Sequence, residues 1–352
     1  MAHYHRPFHY AEKLGFGELH FKMDQDIDFF AIIAIHNIKR GPAIGGCRWI
    51  AYNSVNEAIC DALRLARGMT YKSAISNLPN GGAKAVLIKP TQFKESQKKS
   101  YFEVFAKFVN SIGGNYITAT DSGTTSCEMD LIAQNTAYVS STSTIGNPAA
   151  YTARGVLRGI EAAVKFKLNK SSLNGLHITL QGLGQVGYLL ARLCHQQGAK
   201  LTLSDTNPEL MNRAAKEFNA EIVSPKLIHT IHSDVFSPCA LGSILSHETI
   251  SQLQAPIVAG CANNQLADPY DGRLLHRLKI LYAPDYVINA GGVIQASGKY
   301  YQADTKSIEK KVDGIYDTLT TIFQKSQEQH RATSDIADEL AEEMLEKPPI
   351  PW

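Results

Sequence analysis

The chain has 352 residues, 44% of them hydrophobic and 19% charged, with a formal net charge of +2. That size suggests two domains with a sizeable core, and the near-neutral balance gives no electrostatic case for nucleic acid or an anionic membrane. No stretch approaches the roughly eighteen apolar residues of a membrane span, and the N-terminal residues lack the apolar run of a signal peptide.

Cys47, Cys60, Cys127, Cys194, Cys239 and Cys261 show neither CxxC nor metal-ligand spacing. They read as reduced thiols of a cytoplasmic protein. The histidines are scattered, with His3, His5 and His9 at a terminus expected to be mobile, so no metal site is expected.

Along the chain, Ser54 and Glu57 carry a capping-box signature. Ala58, Ala62, Ala66 and Met69 follow at helical spacing, with Gly68 as a plausible helix end. Lys72 is thus expected just past a helix, on a loop. KAVLI (84–88) is an apolar run suited to a buried strand beginning at Lys84. Tyr101, Phe105, Phe108 and Ile112 mark a second helix that stops at Gly113 and Gly114. YITATD (116–121) alternates as a strand ending on Asp121. The small, polar stretch 140–150, broken by Gly146 and Pro148, reads as an interdomain hinge. Residues 177–205 read as strand, glycine turn, helix and strand. Ile308, Val312, Ile315, Leu319 and Ile322 predict one long amphipathic helix, and another helical stretch follows before a proline-rich end.

Gly182, Gly184 and Gly187 fit G-x-G-x-x-G directly after a strand and opening a helix, over the segment Gly182, Leu183, Gly184, Gln185, Val186, Gly187. The first glycine permits a tight turn, the second a close approach of a pyrophosphate, and the third close helix–strand packing. The helix N-terminus supplies N–H donors for the phosphates. Asp205 lies 23 residues after Gly182, at the end of the next strand, where a ribose-binding acid belongs. It favours NAD over NADP because it would repel the extra phosphate.

Lys72 and Lys84 flank Gly81 and Gly82, and GPAIGG (41–46) is a second patch without side-chain bulk. One lysine suits a substrate carboxylate; the other could act as a base if apolar surroundings and a neighbouring cation favour its neutral form. Asp121 would then shuttle protons. From spacing alone, two exposed loop lysines and a helix-capping Asp121 fit as well.

GPAIGGCR, EAICDALRLARGMTYKSA, GGAKAV, TATDSGTT, QGLGQVGY, CALG, ANNQL and APDYVINAGGVI occur in order between about residues 41 and 294. In these segments the chain resembles the glutamate/leucine/phenylalanine/valine dehydrogenases, and leucine dehydrogenases most of all. The resemblance implies that Lys72 binds the substrate α-carboxylate with Gly45, Gly46 and Asn289. It further implies that Lys84 is the base that activates water and that Asp121 relays protons to and from the substrate nitrogen. Hydride would pass from Cα to NAD, and water addition to the imino acid would release a 2-oxo acid and ammonium. Thr152, Asn263, Cys239 and Ala240 would line the cofactor.

Glutamate-specific members carry a lysine before the paired glycines and a serine seven residues after the asparagine of N-A-G-G-V. Here those positions are Ile44 and Ala296. An unpaired buried carboxylate is costly, so the expected substrate side chain is apolar, shaped by Ile44, Ala119 and Val293. A branched residue at 44 favours leucine, isoleucine or valine. Thr120, Ser122 and Gly187 depart from the leucine dehydrogenase pattern, and the C-terminus stops earlier than is typical, in a region that often contributes to assembly.

The expected fold is α/β with two domains. Residues 1–140, completed by helices in 325–352, would form a mixed-sheet substrate and oligomerisation domain; 141–324 would form a doubly wound Rossmann domain for NAD, with the active site in the cleft between them. The expected function is reversible NAD-dependent oxidative deamination of branched-chain L-amino acids by a cytoplasmic homo-oligomer, a dimer or an octamer. An aromatic (tryptophan or phenylalanine) dehydrogenase of a biosynthetic pathway is one alternative. A catalytically silent NAD-binding regulatory protein is another, against which Lys72, Lys84, Asp121 and Asn289 together argue.

Overall fold

The computed structural model describes residues 7–240 and 242–352, so His3, His5 and Leu241 of the CALG segment lie outside the described residues. The chain folds as two compact units. Among the described residues the first comprises 7–147, 296–304 and 341–352, and the second the rest, from 148 to 295 and from 305 to 340.

The first unit opens with α1 (Pro7–Lys13), β1 (Glu18–Asp24), β2 (Phe29–Asn37) and β3 (Ala43–Ile50). It continues with α2 (Val55–Ile75), β4 (Gly81–Ile88), α3 (Lys98–Ser111), β5 (Tyr116–Thr120) and α4 (Ser126–Ala133). Its mixed sheet has the order β1-β2-β4-β3-β5. The β1–β2 and β2–β4 pairs are antiparallel, and β3 runs parallel to both β4 and β5.

Alternation along the strands sorts the side chains onto two faces. Ile33, Cys47, Ala85 and Tyr116 pack with Tyr101, Phe102 and Phe105 of α3. On the opposite face Ile32, Ala34 and Val86 pack against Ala58, Ala62 and Ala66 of α2. The small α2 residues let helix and sheet come close: a Cβ on Gly82 would lie 2.0 Å from the backbone nitrogen of Thr70.

Several local expectations need correction. α2 runs through Gly68 to Ile75, so Lys72 stands in its last turn and not on a loop. A helical glycine costs about 1 kcal/mol relative to alanine, which burial of Tyr71, Ala74 and Ile75 offsets. Ser54 does cap α2 by accepting the Glu57 N–H, but the Glu57 carboxylate turns to the N–H groups of Asn53. β4 starts at Gly81, which puts Lys84 mid-strand, and β5 stops one residue before Asp121.

The second unit is built on a six-stranded, all-parallel sheet. It begins with α5 (Ala149–Leu168), β6 (His177–Gln181), α6 (Gln185–Gln196), β7 (Lys200–Ser204) and α7 (Pro208–Phe218). β8 (Glu221–Ile222), β9 (Val235–Pro238), α8 (His247–Gln252), β10 (Ile257–Val258), α9 (Pro269–Arg277) and β11 (Leu281–Tyr282) complete it. The order β11-β10-β9-β6-β7-β8 is that of a doubly wound dinucleotide-binding sheet, with the switch point between β6 and β9.

The remaining helices are α10 (Asp285–Ile288), α11 (Gly291–Tyr300), α12 (Thr305–Asp313), α13 (Ile315–Gln329) and α14 (Thr333–Leu345). The single helix expected over 308–322 is two, α12 and α13, interrupted at Gly314. The unit boundaries also differ from residues 140 and 325. Residues 296–304 join the first unit, where Ser140 donates to the Ala296 carbonyl and Ser297 to Asn80 Oδ1. Residues 325–340 stay in the second, where Thr333 bonds the Tyr282 carbonyl and Tyr286 bonds Asp338. The tail from 341 returns to the first through Tyr71–Glu342 and Arg40–Lys347 hydrogen bonds. Among the described residues no helix is long and apolar enough to cross a membrane.

Candidate active site

Register places β3, β4 and β5 side by side, with Gly46 opposite Ala119, Ile44 opposite both Ile117 and Gly82, and Arg48 opposite Val86. The period of two then puts Ile44, Gly46, Arg48, Lys84 and Ala119 on the α2 face of the sheet. Lys84, Ile44 and Ala119 are all buried.

Asp121 completes the cluster from the turn after β5. Its N–H donates to Thr124 Oγ1, and that hydroxyl donates to the Cys47 carbonyl, which fixes the turn against β3. Lys84 Nζ lies 2.9 Å from Asp121 Oδ2. Arg48 Nε donates to the same oxygen at 2.8 Å. Burial pushes the Asp121 carboxyl up, but the charges of Lys84 and Arg48 outweigh it and hold the pKa at about 2.

Gly46 is required here for space. A Cβ would sit 2.7 Å from the Thr120 carbonyl oxygen, 2.8 Å from Asp121 Cβ and 3.3 Å from Lys84 Nζ. Gly45 faces the other way, where its carbonyl accepts the Tyr116 hydroxyl. Lys72 is half-buried at the C-terminal end of α2.

Arg48 and Asp61 were not among the expected site residues. Arg48 Nη1 donates to Asp61 Oδ2 at 2.7 Å, and Arg64 and Tyr52 also bond the Asp61 carboxylate. Arg48 was within reach of sequence reasoning, since it lies two residues past Gly46 and shares its face. Asp61 carried no comparable signal.

The second unit holds the glycine turn between β6 and α6. Gly182 has φ +97°, and a Cβ there would lie 2.5 Å from the Ala240 nitrogen. A Cβ on Gly187 would lie 2.0 Å from the Gly182 carbonyl, so turn and helix close against each other. Gly184 faces open space at the N-terminus of α6, where Gln185 and Val186 begin the helix. Such a terminus presents N–H donors and partial positive charge to an anion. Asp205 follows β7, and its Oδ2 accepts the Leu183 N–H at 2.6 Å while Oδ1 accepts that of Asn207. Each oxygen keeps acceptor capacity for a hydroxyl. This arrangement fits a dinucleotide.

Cys239 packs beside Gly187, and Cys261 Sγ lies 3.9 Å from the Cys239 carbonyl. Thr152 Oγ1 donates to the Pro148 carbonyl within α5's first turn, and Gly292 leaves it room. Asn289 is buried, and its amide nitrogen donates to the Cys261 carbonyl and to Asn263 Oδ1. Its Oδ1 is buried with no hydrogen-bond partner among the described residues. Asn289 therefore presents an acceptor, whereas a substrate carboxylate needs a donor. Val293 is half-buried in α11.

A family model described as Glu/Leu/Phe/Val dehydrogenase, dimerisation domain, matches residues 14–138. A second, described as Glutamate/Leucine/Phenylalanine/Valine dehydrogenase, matches residues 205–346. The chain belongs to this dehydrogenase family. Leucine dehydrogenase of Geobacillus stearothermophilus is 43% identical over 343 residues, 96% of this chain and 93% of the relative. Phenylalanine dehydrogenase of Caldalkalibacillus thermarum is 37% identical, over 90% of this chain and 88% of the relative. The crystal structure of L-tryptophan dehydrogenase from Nostoc punctiforme is similar with a TM-score of 0.83 at 39% identity, covering 96% of this chain and 98% of that one. The glutamate/leucine/phenylalanine/valine dehydrogenase described here is thus an amino-acid dehydrogenase with a mixed-sheet unit and a Rossmann-type unit.

Proposed function

We propose that the enzyme catalyses the reversible NAD-dependent oxidative deamination of branched-chain L-amino acids to 2-oxo acids and ammonium. The observation that carries the substrate class is the sheet face around Lys84, where the side chains of Ile44 and Ala119 are apolar and enclosed. A glutamate side chain placed against them would bury an ionised carboxylate without a partner. Leucine, isoleucine and valine need none.

Residues 182–187 would hold the pyrophosphate and Asp205 the adenosine ribose, with Thr152, Cys239, Ala240 and Asn263 lining the remainder. Bound NAD supplies the acceptor for the hydride that leaves the substrate Cα. Lys72 would pair with the α-carboxylate. Lys84, as a neutral amine, would take a proton from the water that adds to the imino carbon, its Nζ aimed by the bond to Asp121. Asp121 would exchange protons with the substrate nitrogen, and the partnerless Oδ1 of Asn289 would accept from an N–H donor of substrate or cofactor.

The preference for NAD rests on Asp205, whose charge disfavours a 2′-phosphate. A homo-oligomer is proposed from the dimerisation-domain match and from Phe21 and Met23, which are exposed on the edge strand β1. All six cysteines are free, in keeping with a reducing cytoplasm.

A panel of L-amino acids with NAD, followed by NADH absorbance, tests the assignment. The highest kcat/KM is expected for leucine, isoleucine or valine. Preference for tryptophan or phenylalanine would move the assignment to the aromatic class, and absence of turnover with every amino acid would overturn it.

A further inference from the structure

Asp121 Oδ2 receives two cations, Lys84 Nζ at 2.9 Å and Arg48 Nε at 2.8 Å. They differ in one chemical respect: a lysine can give up its proton, whereas an arginine in a protein does not. Arg48 is fixed from its other side, since Nη1 donates to Asp61 Oδ2 at 2.7 Å. Asp61 is held in turn by Arg64 Nη2 at 2.7 Å and by the Tyr52 hydroxyl at 2.8 Å. The first half of α2 and the turn after β5 thus clamp the guanidinium of β3 between two carboxylates.

We propose that Arg48 is the permanent counter-ion of Asp121 and a positioning residue that lets Lys84 work as a neutral amine. This rests on the reading of Lys84 as the base. Two arginines, 48 and 64, face two carboxylates, 61 and 121, so this cluster is balanced without Lys84. Were Lys84 the only partner of Asp121, its deprotonation would strand a buried carboxylate, which is strongly unfavourable. With Arg48 in place, the proton can leave Lys84 while Asp121 keeps a cation.

The other titratable groups around Lys84 leave this balance intact. On the far face of the sheet, Cys47 of β3 and Tyr116 of β5 are kept neutral by burial, which pushes both up. Glu128 of α4 is paired with Lys98. His36 of β2 is pushed down by burial, towards its neutral form. Tyr52 is pushed up by burial and by Asp61. Lys72 at the end of α2 adds positive charge, which acts in the same direction as Arg48.

The test is acetylation of Lys84 by acetic anhydride at fixed neutral pH, quantified on the Lys84 peptide by mass spectrometry against the other lysines. Arg48→Gln removes the counter-ion, and acetylation of Lys84 should slow by about tenfold, the low end of the effect of a charge at this distance. The acid limb of its kcat/KM profile should move to higher pH by about one unit. Asp61→Asn removes a carboxylate behind Arg48 and should change Lys84 acetylation in the opposite sense, making it faster. Opposite signs in the two variants support the inference, and no misfolding effect common to both would produce them. Unchanged acetylation, or changes of the same sign, would overturn it. Failure of the underlying reading looks different: Lys84→Ala would keep its turnover while Arg48→Gln still slowed Lys84 acetylation.

Discussion

Lys84 Nζ meets Asp121 Oδ2 at 2.9 Å across the intervening strand β3, although 37 residues separate them in the chain. The contact exists because β4 and β5 flank β3 on either side, and because Gly46 of β3 offers no side chain to block it. The contact holds the lysine nitrogen in one place beside Gly46.

Lys84→Ala should therefore lower kcat by about 10²- to 10⁴-fold, the usual range for a lost general base. NAD affinity should stay near the wild-type value, because the glycine turn and Asp205 are untouched. Steady-state kinetics with isothermal titration of NAD checks both, and near wild-type turnover would remove Lys84 from the mechanism.

Lys72→Ala should chiefly raise KM for the amino acid, with a smaller fall in kcat from poorer orientation. Initial rates over a wide substrate range separate the two effects. An unchanged KM would place the carboxylate site elsewhere.

Asp121→Asn bears on stability as well as on catalysis. The folded carboxyl titrates at about 2, below its ordinary value of 3.8. Its contribution is thus fully present above about pH 4 and is lost as pH falls toward about 2. The linkage amounts to about 2 kcal/mol at neutral pH. Urea denaturation should show the variant less stable at neutral pH, with the gap to wild type narrowing at about pH 3. A gap that is constant over that range would mean that the ionised carboxylate is not what stabilises the fold.

Asp205→Ala should weaken NAD binding and bring NAD and NADP affinities closer together. The loss has a second source, since Asp205 Oδ2 also holds the Leu183 N–H of the glycine turn at 2.6 Å. Titration calorimetry with both cofactors reads this out; equal wild-type affinities would already count against Asp205 as the discriminator.

Ile44→Lys combined with Ala296→Ser should admit measurable glutamate activity and depress that with leucine. Ile44 and Ala296 are both buried, so the new lysine needs room as well as a partner, and the gain in kcat/KM should be partial. Side-by-side kcat/KM for both substrates in both proteins decides it. A wild-type enzyme that prefers glutamate would sink the apolar assignment.

Much of the scaffold was legible in the chain itself. The apolar runs of β4 and β6, the alternation of β5 and the 3.6-residue stripe of α2 are local signals, written by which side chains face a core. The glycine turn was legible for the same reason, since Gly187 is forced by the Gly182 carbonyl within one strand–turn–helix unit and Gly182 by its own φ of +97°. What escaped a linear reading depends on packing. Gly68 does not end α2, because buried residues beyond it extend the helix and carry Lys72 into its last turn. Arg48 finds Asp121 73 residues away and Asp61 13 residues away only once β3 lies beside β5 and under α2. Asn289 keeps a buried acceptor because the carbonyl of Cys261 and the amide oxygen of Asn263 occupy its N–H groups. Local periodicity determines which elements form and which face each buries. Which charge meets which is decided by strand order and helix placement, because a Coulomb interaction depends on distance in space and not on separation along the chain.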